Sequence, residues 1–219
     1  MSLRQQSSTL GNQPHILKII TSHKRALSAV LSSGLARHHR ANPASSIRIE
    51  KLYGIPVLLS GVASLTLLQS EKDTLVPHYK TNLKSLLKIR QKTQWSFVFI
   101  MAGSLPLQAI LDLRMLGLFS MISRLPNYIV NKHARQLLIT VQDNSRSWLI
   151  QVKNICVKYQ LLHPLTLLES PLPKDQFKLL AKKHVQLHWE GIFRDEASPP
   201  ESLALSSPHP LITSCGSSS

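Results

Sequence analysis

Residues 145–159, SRSWLIQVKNICVKY, decide the fold class. Trp148, Val152, Ile155, Cys156 and Tyr159 fall at i, i+4, i+7, i+8 and i+11, positions that share one face of an α-helix. Gln151, Lys153, Asn154 and Lys158 lie between them, so the segment reads as an amphipathic helix turned toward a core, with Asn144 or Ser145 placed to cap its start. The same period continues on both sides. Residues 107–125 are apolar nearly all round, with Arg114 and Arg124 as their only cations, which predicts a buried central helix. Phe177, Leu180, Ala181 and His184 share a face of a later helix expected to begin after Pro173 and to end near Arg194. No alternating run flanked by hairpin signals and no fixed-period repeat occurs. The expected class is all-α, an irregular helical bundle.

Proline and glycine set the expected breaks. Pro77 sits too deep in the pattern of residues 75–90 for mid-helix, so a helix is predicted to start there, after a turn at residues 70–73. Gly54 and Pro56 are expected to break or kink the segment 46–68. The ends are rich in Ser, Pro and Gln. A basic helical domain is therefore expected over residues 13–194, between flexible tails at 1–12 and 195–219.

At 219 residues the chain is long enough for one sizeable core. Lys plus Arg is 26 against 11 Asp plus Glu, a formal net charge of +15, which calls for anionic partners, either nucleic acid or an anionic membrane surface. Cys156 and Cys215 are too few for a disulfide framework, which favours a reduced intracellular compartment, nucleus or cytoplasm. Residues 1–10 lack the apolar core of a secretory signal.

The distribution of charge is more informative than its sum. Residues 1–49 hold no acid and seven cations, Arg4, Lys18, Lys24, Arg25, Arg37, Arg40 and Arg48. Residues 74–111 are again acid-free and hold Lys80, Lys84, Lys88, Arg90 and Lys92. Lys80, Lys84 and Lys88 recur every fourth residue and form one helical stripe, beside an apolar stripe of Tyr79, Leu83, Leu86 and Leu87. Such like-charge pairs cost a helix about 0.2–0.5 kcal/mol each, a cost that an external polyanion offsets. The alternative is a solvated basic face without a partner. By clustering, the candidate phosphate contacts are Lys24, Arg25, Arg37, Arg40, Lys80, Lys84 and Lys88, and His38 and His39 extend the patch as pH falls.

Catalytic patterns are missing. His184 and His188 stand one turn apart, but no Glu follows the first as the zincin pattern requires, and the two cysteines are isolated, so no metal is expected. No Gly-x-Ser-x-Gly elbow and no phosphate-cradling Gly-rich loop occurs, so neither a serine nucleophile nor a nucleotide cofactor is expected. Trp95, Trp148 and Trp189 offer faces on which bases stack, but their apolar helical contexts favour core packing.

The stretch NPASSIRIEKLYGIPVLLSGVASLTL, residues 42–67, resembles a segment that follows the polymerase palm in LINE-type (non-LTR) retrotransposon reverse transcriptases. AGSLPLQAILDLRMLGLFSMISRLP from Ala102, NKHARQLL from Asn131 and SWLIQVKNICVKYQLLHPLTLLESPLPK from Ser147 resemble further blocks in the same order and at similar spacing. Together they cover most of residues 14–190. The family's catalytic aspartate pair has no counterpart here, because no Tyr/Phe-x-Asp-Asp occurs. The resemblance implies a non-catalytic accessory segment for RNA or single-stranded DNA, with the absent reverse transcriptase core as a further partner. The His-Pro-Leu and Gly-Ser-Ser run at residues 209–218 is similar to one that leads into a further C-terminal region in relatives, so the chain looks truncated at both ends.

Two alternatives remain. Residues 52–70 and 93–111 are each 19 residues without charge, near the length of a bilayer span. Their Gly, Pro, Ser, Thr and Gln content suits buried bundle helices better, so no membrane insertion is expected. The other alternative is a basic helical protein-interaction module without a nucleic-acid role.

Overall fold

The computed structural model describes residues 12–30, 32, 42–125, 128–142, 145 and 147–197, and among them every regular element is helical. In chain order these are α1 (Gln13–Val30), α2 (Pro43–Ile49), a π-helical turn (Glu50–Gly54), α3 (Ile55–Leu58), a 3-10 turn (Val62–Ser64) and α4 (Gln69–Leu87). They are followed by α5 (Trp95–Ala102), α6 (Leu107–Ser123), α7 (Tyr128–Thr140), α8 (Trp148–Lys158), α9 (Pro164–Glu169) and α10 (Lys174–Ala197). The chain is all-α. The helical body runs on through Ala197, three residues past the expected boundary at Arg194, so the start of the expected tail is the end of α10. Asn12, the last residue of the expected N-terminal tail, accepts from the Ile16 amide at 2.9 Å at the start of α1, and the rest of both expected tails lies outside the described residues.

Two apolar clusters form the core. Residues from α1 to α5 build the first together with Leu107 and Leu111 of α6, and the remainder of α6 builds the second with α7 to α10. Because Leu107 and Leu111 point into one cluster and Ala109, Leu116 and Phe119 into the other, α6 is the central helix that its apolar composition predicts. It is not covered all round, since Arg114, Gly117 and Met121 are exposed. The clusters are joined by rings. Trp95 leans on Phe99 at 6.4 Å, Phe99 stacks on Phe193 at 5.8 Å, and Phe193 meets Trp189 at 6.0 Å, which ties α5 to α10.

The proline rule fails at α4. The helix starts at Gln69 and carries Pro77 in its interior, and residues 70–73 are its first turn rather than a separate one. A mid-helix proline costs about 3 kcal/mol, but ending the helix there would remove Leu75 from the core, where it is wholly buried, at about 1.5–3 kcal/mol. The first turn is also closed at its start. The Glu71 carboxylate, itself buried, accepts from the Leu68 amide at 2.8 Å, and Thr74 Oγ1 donates to the Ser70 carbonyl at 2.9 Å. Pro77 is exposed, so its ring meets water rather than packed neighbours.

The expected disturbance at Gly54 and Pro56 is a widened turn rather than a break. Helix register slips by one residue, so that the Ile55 amide bonds the Glu50 carbonyl, directly ahead of Pro56, which has no N–H to give. Gly54 makes room for the Glu50 carboxyl: a Cβ there would lie 2.1 Å from Glu50 Oε2. At α8 the N-cap position is Ser147, two residues after Ser145, and Ser147 donates its amide to Ser145 Oγ at 3.4 Å. Asn144 lies outside the described residues.

Candidate nucleic-acid interface

Folding sharpens the charge asymmetry of the first half of the chain. Residues 12–111 contain only three acids, Glu50, Glu71 and Asp73. Glu50 is 0% and Glu71 1% exposed, which leaves Asp73 as the only exposed acid among the described residues of that half. Lys18, Lys24, Arg25, Arg48, Lys51, Lys88, Arg90 and Lys92 are all exposed, and Lys72 and Lys80 are half-exposed. Burial thus takes two of the three acids off this surface and only one described cation, Lys84, so the exposed charges of this half are almost all positive.

The seven candidate contacts fare differently. Lys24 and Arg25 stand exposed on α1, and Lys88 stands exposed at the end of α4. Lys88 adopts φ 56° and ψ 35°, a left-handed cap usually given to glycine. Arg37 and Arg40, with His38 and His39, lie outside the described residues.

Lys84 must be withdrawn from the stripe. Its side chain is 2% exposed, and its ammonium donates to the carbonyls of Gln91 and of Thr93, the latter at 2.7 Å. It also lies 3.5 Å from the centre of the Trp95 ring. A cation so placed closes the link between α4 and α5, with two donors on carbonyls, a ring against it and almost no exposure through which to meet phosphate. Burial, and secondarily the nearby Lys80, push its pKa down. Lys80 stands 5.0 Å over the same ring, so two of the three stripe lysines clasp Trp95 and Lys88 is the one that stands exposed away from it. Trp189 is also engaged internally: its Nε1 donates to Tyr159 Oη at 3.2 Å, and Tyr159 Oη donates to Asp112 Oδ2 at 2.7 Å.

Beneath the basic surface lies a group that the sequence reading missed. His23 of α1 is wholly buried, with Nε2 3.1 Å from Glu50 Oε1 and Nδ1 3.0 Å from Nε2 of His78 on α4. His23 thus joins α1, the π-helical turn and α4. The contact between the two rings accommodates one proton, so one nitrogen must be bare. Burial, then the neighbouring His23 and Lys24, lower the His78 pKa to about 4, so that ring is neutral near pH 7. Burial first, and then the Glu50 charge, push the Tyr79 hydroxyl up. A signal for this site existed, because Ile16, Ile19, His23 and Leu27 form the buried stripe of α1, and His23 occupies a core position in it.

His184 and His188 serve the core. His184 Nδ1 donates to the Tyr159 carbonyl at 2.9 Å, and His188 packs edge-on against Tyr159 at 5.1 Å, with its pKa lowered by burial and by Lys158. Among the described residues, no three His, Cys, Asp or Glu side chains gather to hold a metal. No single described helix is long and apolar enough to cross a membrane, and the apolar pair α5 and α6 is bent by 58° at its break. No protein-family model, no curated protein and no solved structure matches the chain.

Proposed function

We propose that the chain is a non-catalytic segment that holds RNA or single-stranded DNA by its phosphates, in the manner of an accessory region downstream of a LINE-type reverse transcriptase palm. The observation that carries this reading is the surface of α1 to α5, where exposed cations face one exposed acid because Glu50 and Glu71 are interior. Lys24, Arg25 and Lys88 are the phosphate contacts on the described surface, and Arg37 and Arg40 extend the same cationic run in sequence. Phosphate contacts fix register without reading bases, so the binding is tolerant of sequence. Such a role belongs in the nucleus or cytoplasm, where nucleic acid is met.

The test is binding of a labelled single-stranded RNA by the full chain across a salt series. Counterion release predicts an affinity that falls steeply, and linearly on logarithmic axes, between about 50 and 200 mM salt. An undetectable interaction at the low end refutes the reading and leaves a protein-interaction module in its place.

A further inference from the structure

A second surface, in the other half of the molecule, has a different character. Helices α6 and α10 pack side by side and leave a trough of about 480 Å³. Its floor is apolar, with Leu113, Gly117 and Met121 from α6 and Ala181 from α10. Met121 is 53% exposed, and a Cβ added to Gly117 would meet nothing within 4 Å, so the middle of the floor is open. The walls are cationic. Arg114 and Arg124 line it on the α6 side, and Lys174, Lys178 and Lys182, one turn apart in succession, line it on the α10 side. No Asp or Glu lines it, and Nη1 of Arg124 is buried there without a hydrogen-bond partner.

The shape and chemistry select among anionic occupants. A polynucleotide held by its phosphates would use the cationic walls but leave the apolar floor unfilled. Phe177, the only ring in the lining, is 4% exposed and offers bases no face, whereas the apolar side of a helix fills such a floor. The span from Arg114 to Arg124 is about 15 Å of helix, the length of two to three turns of a partner helix. Gly117, exposed in the floor, lets another backbone come close, and cations on both sides match acids that flank an apolar stripe. We propose that this trough docks an acidic amphipathic helix of a partner protein. Apolar side chains at i, i+4 and i+7 enter the trough, and flanking Asp and Glu pair with Arg114, Arg124 and the three lysines. The inference does not rest on the nucleic-acid reading, which concerns the surface of α1 to α5.

The test uses the full chain and a labelled synthetic peptide with leucines at i, i+4, i+7 and i+11 flanked by glutamates, beside a permutation of the same composition. Fluorescence anisotropy should show the permuted peptide binding at least about tenfold more weakly, a difference of about 1.4 kcal/mol. Gly117→Leu fills the trough at an exposed helical position and should weaken the amphipathic peptide at least about tenfold, with the thermal melt retained. A Lys174→Gln, Lys178→Gln, Lys182→Gln triple variant should do the same by removing one wall. A Lys24→Gln, Arg25→Gln, Lys88→Gln variant should leave peptide affinity unchanged. Equal binding of the two peptides, or indifference to both Gly117→Leu and the lysine triple, overturns the proposal. Gly117-dependent displacement of the peptide by single-stranded RNA or by phosphatidylserine vesicles overturns it too, and assigns the trough to that ligand.

Discussion

The Nζ atom of Lys84 sits 3.5 Å from the centre of the Trp95 ring while it donates to two backbone carbonyls of the link between α4 and α5. Removing it strands those carbonyls and forfeits a desolvated cation–π contact, so Lys84→Ala should cost about 2–4 kcal/mol. Lys88, one turn on, holds a left-handed cap, and Lys88→Gly should stabilise by up to about 1 kcal/mol. Urea denaturation of the two variants is the check. Equal effects would show that Lys84 is an ordinary surface lysine.

Glu50 and Gly54 should couple. Glu50→Ala leaves the buried Nε2 of His23 without its hydrogen-bond partner, at about 1–3 kcal/mol. Gly54→Ala thrusts a methyl into the Glu50 carboxyl, which has nowhere to move while His23 holds it, at about 1–3 kcal/mol. In the double variant the clash is absent. A double-mutant cycle should therefore give a coupling of about 1 kcal/mol or more, and simple additivity would rule out the contact as drawn.

Acid should weaken the contact between α1 and α4 through His78. Its pKa is lowered in the fold from 6.5 to about 4, so between those values the unfolded chain binds a proton that the native one refuses. Stability is therefore full above about pH 6.5 and declines as pH falls toward about 4. One proton gives a slope of at most about 1.4 kcal/mol per pH unit, and partial exposure of the ring reduces the total loss to about 1–2 kcal/mol. His78→Asn should flatten that part of the profile relative to the parent chain. Parallel profiles for the two proteins would contradict the assignment.

Pro77→Ala should stabilise the protein. Alanine restores the missing N–H in mid-helix and relieves a cost of about 3 kcal/mol, of which about 1 kcal/mol is returned because the unfolded chain becomes freer. A raised melting temperature is expected. A lowered one would mean that the surrounding structure needs the bend that proline imposes.

Periodicity was legible where a single face carries the burial. The stripe of Trp148, Val152, Ile155, Cys156 and Tyr159 is the core face of α8, and the start of α10 just after Pro173 follows the same logic. Local rules failed where tertiary contacts overrode them. Pro77 stays inside α4 because Leu75 is worth burying, and Lys84 turns inward because the link between α4 and α5 needs its backbone carbonyls satisfied. The pairing of His23 with Glu50 spans 27 residues and three elements, and no local pattern couples positions so distant. What one sequence does offer is weaker: His23 falls in an apolar stripe, and Glu50 is a rare acid in a basic half.

If the surface of α1 to α5 holds nucleic acid by its phosphates, the salt dependence of single-stranded RNA binding must differ between two variants of equal charge. The first is Lys24→Gln, Arg25→Gln, Lys88→Gln, and the second is Lys174→Gln, Lys178→Gln, Lys182→Gln. If all three residues of the first variant touch phosphate, its logarithmic salt slope should fall by about 2, at roughly 0.7 per contact on a single strand. The second variant should keep the parent slope. Equal losses in both would mean that net charge alone governs binding, and an unchanged slope in the first would contradict the account.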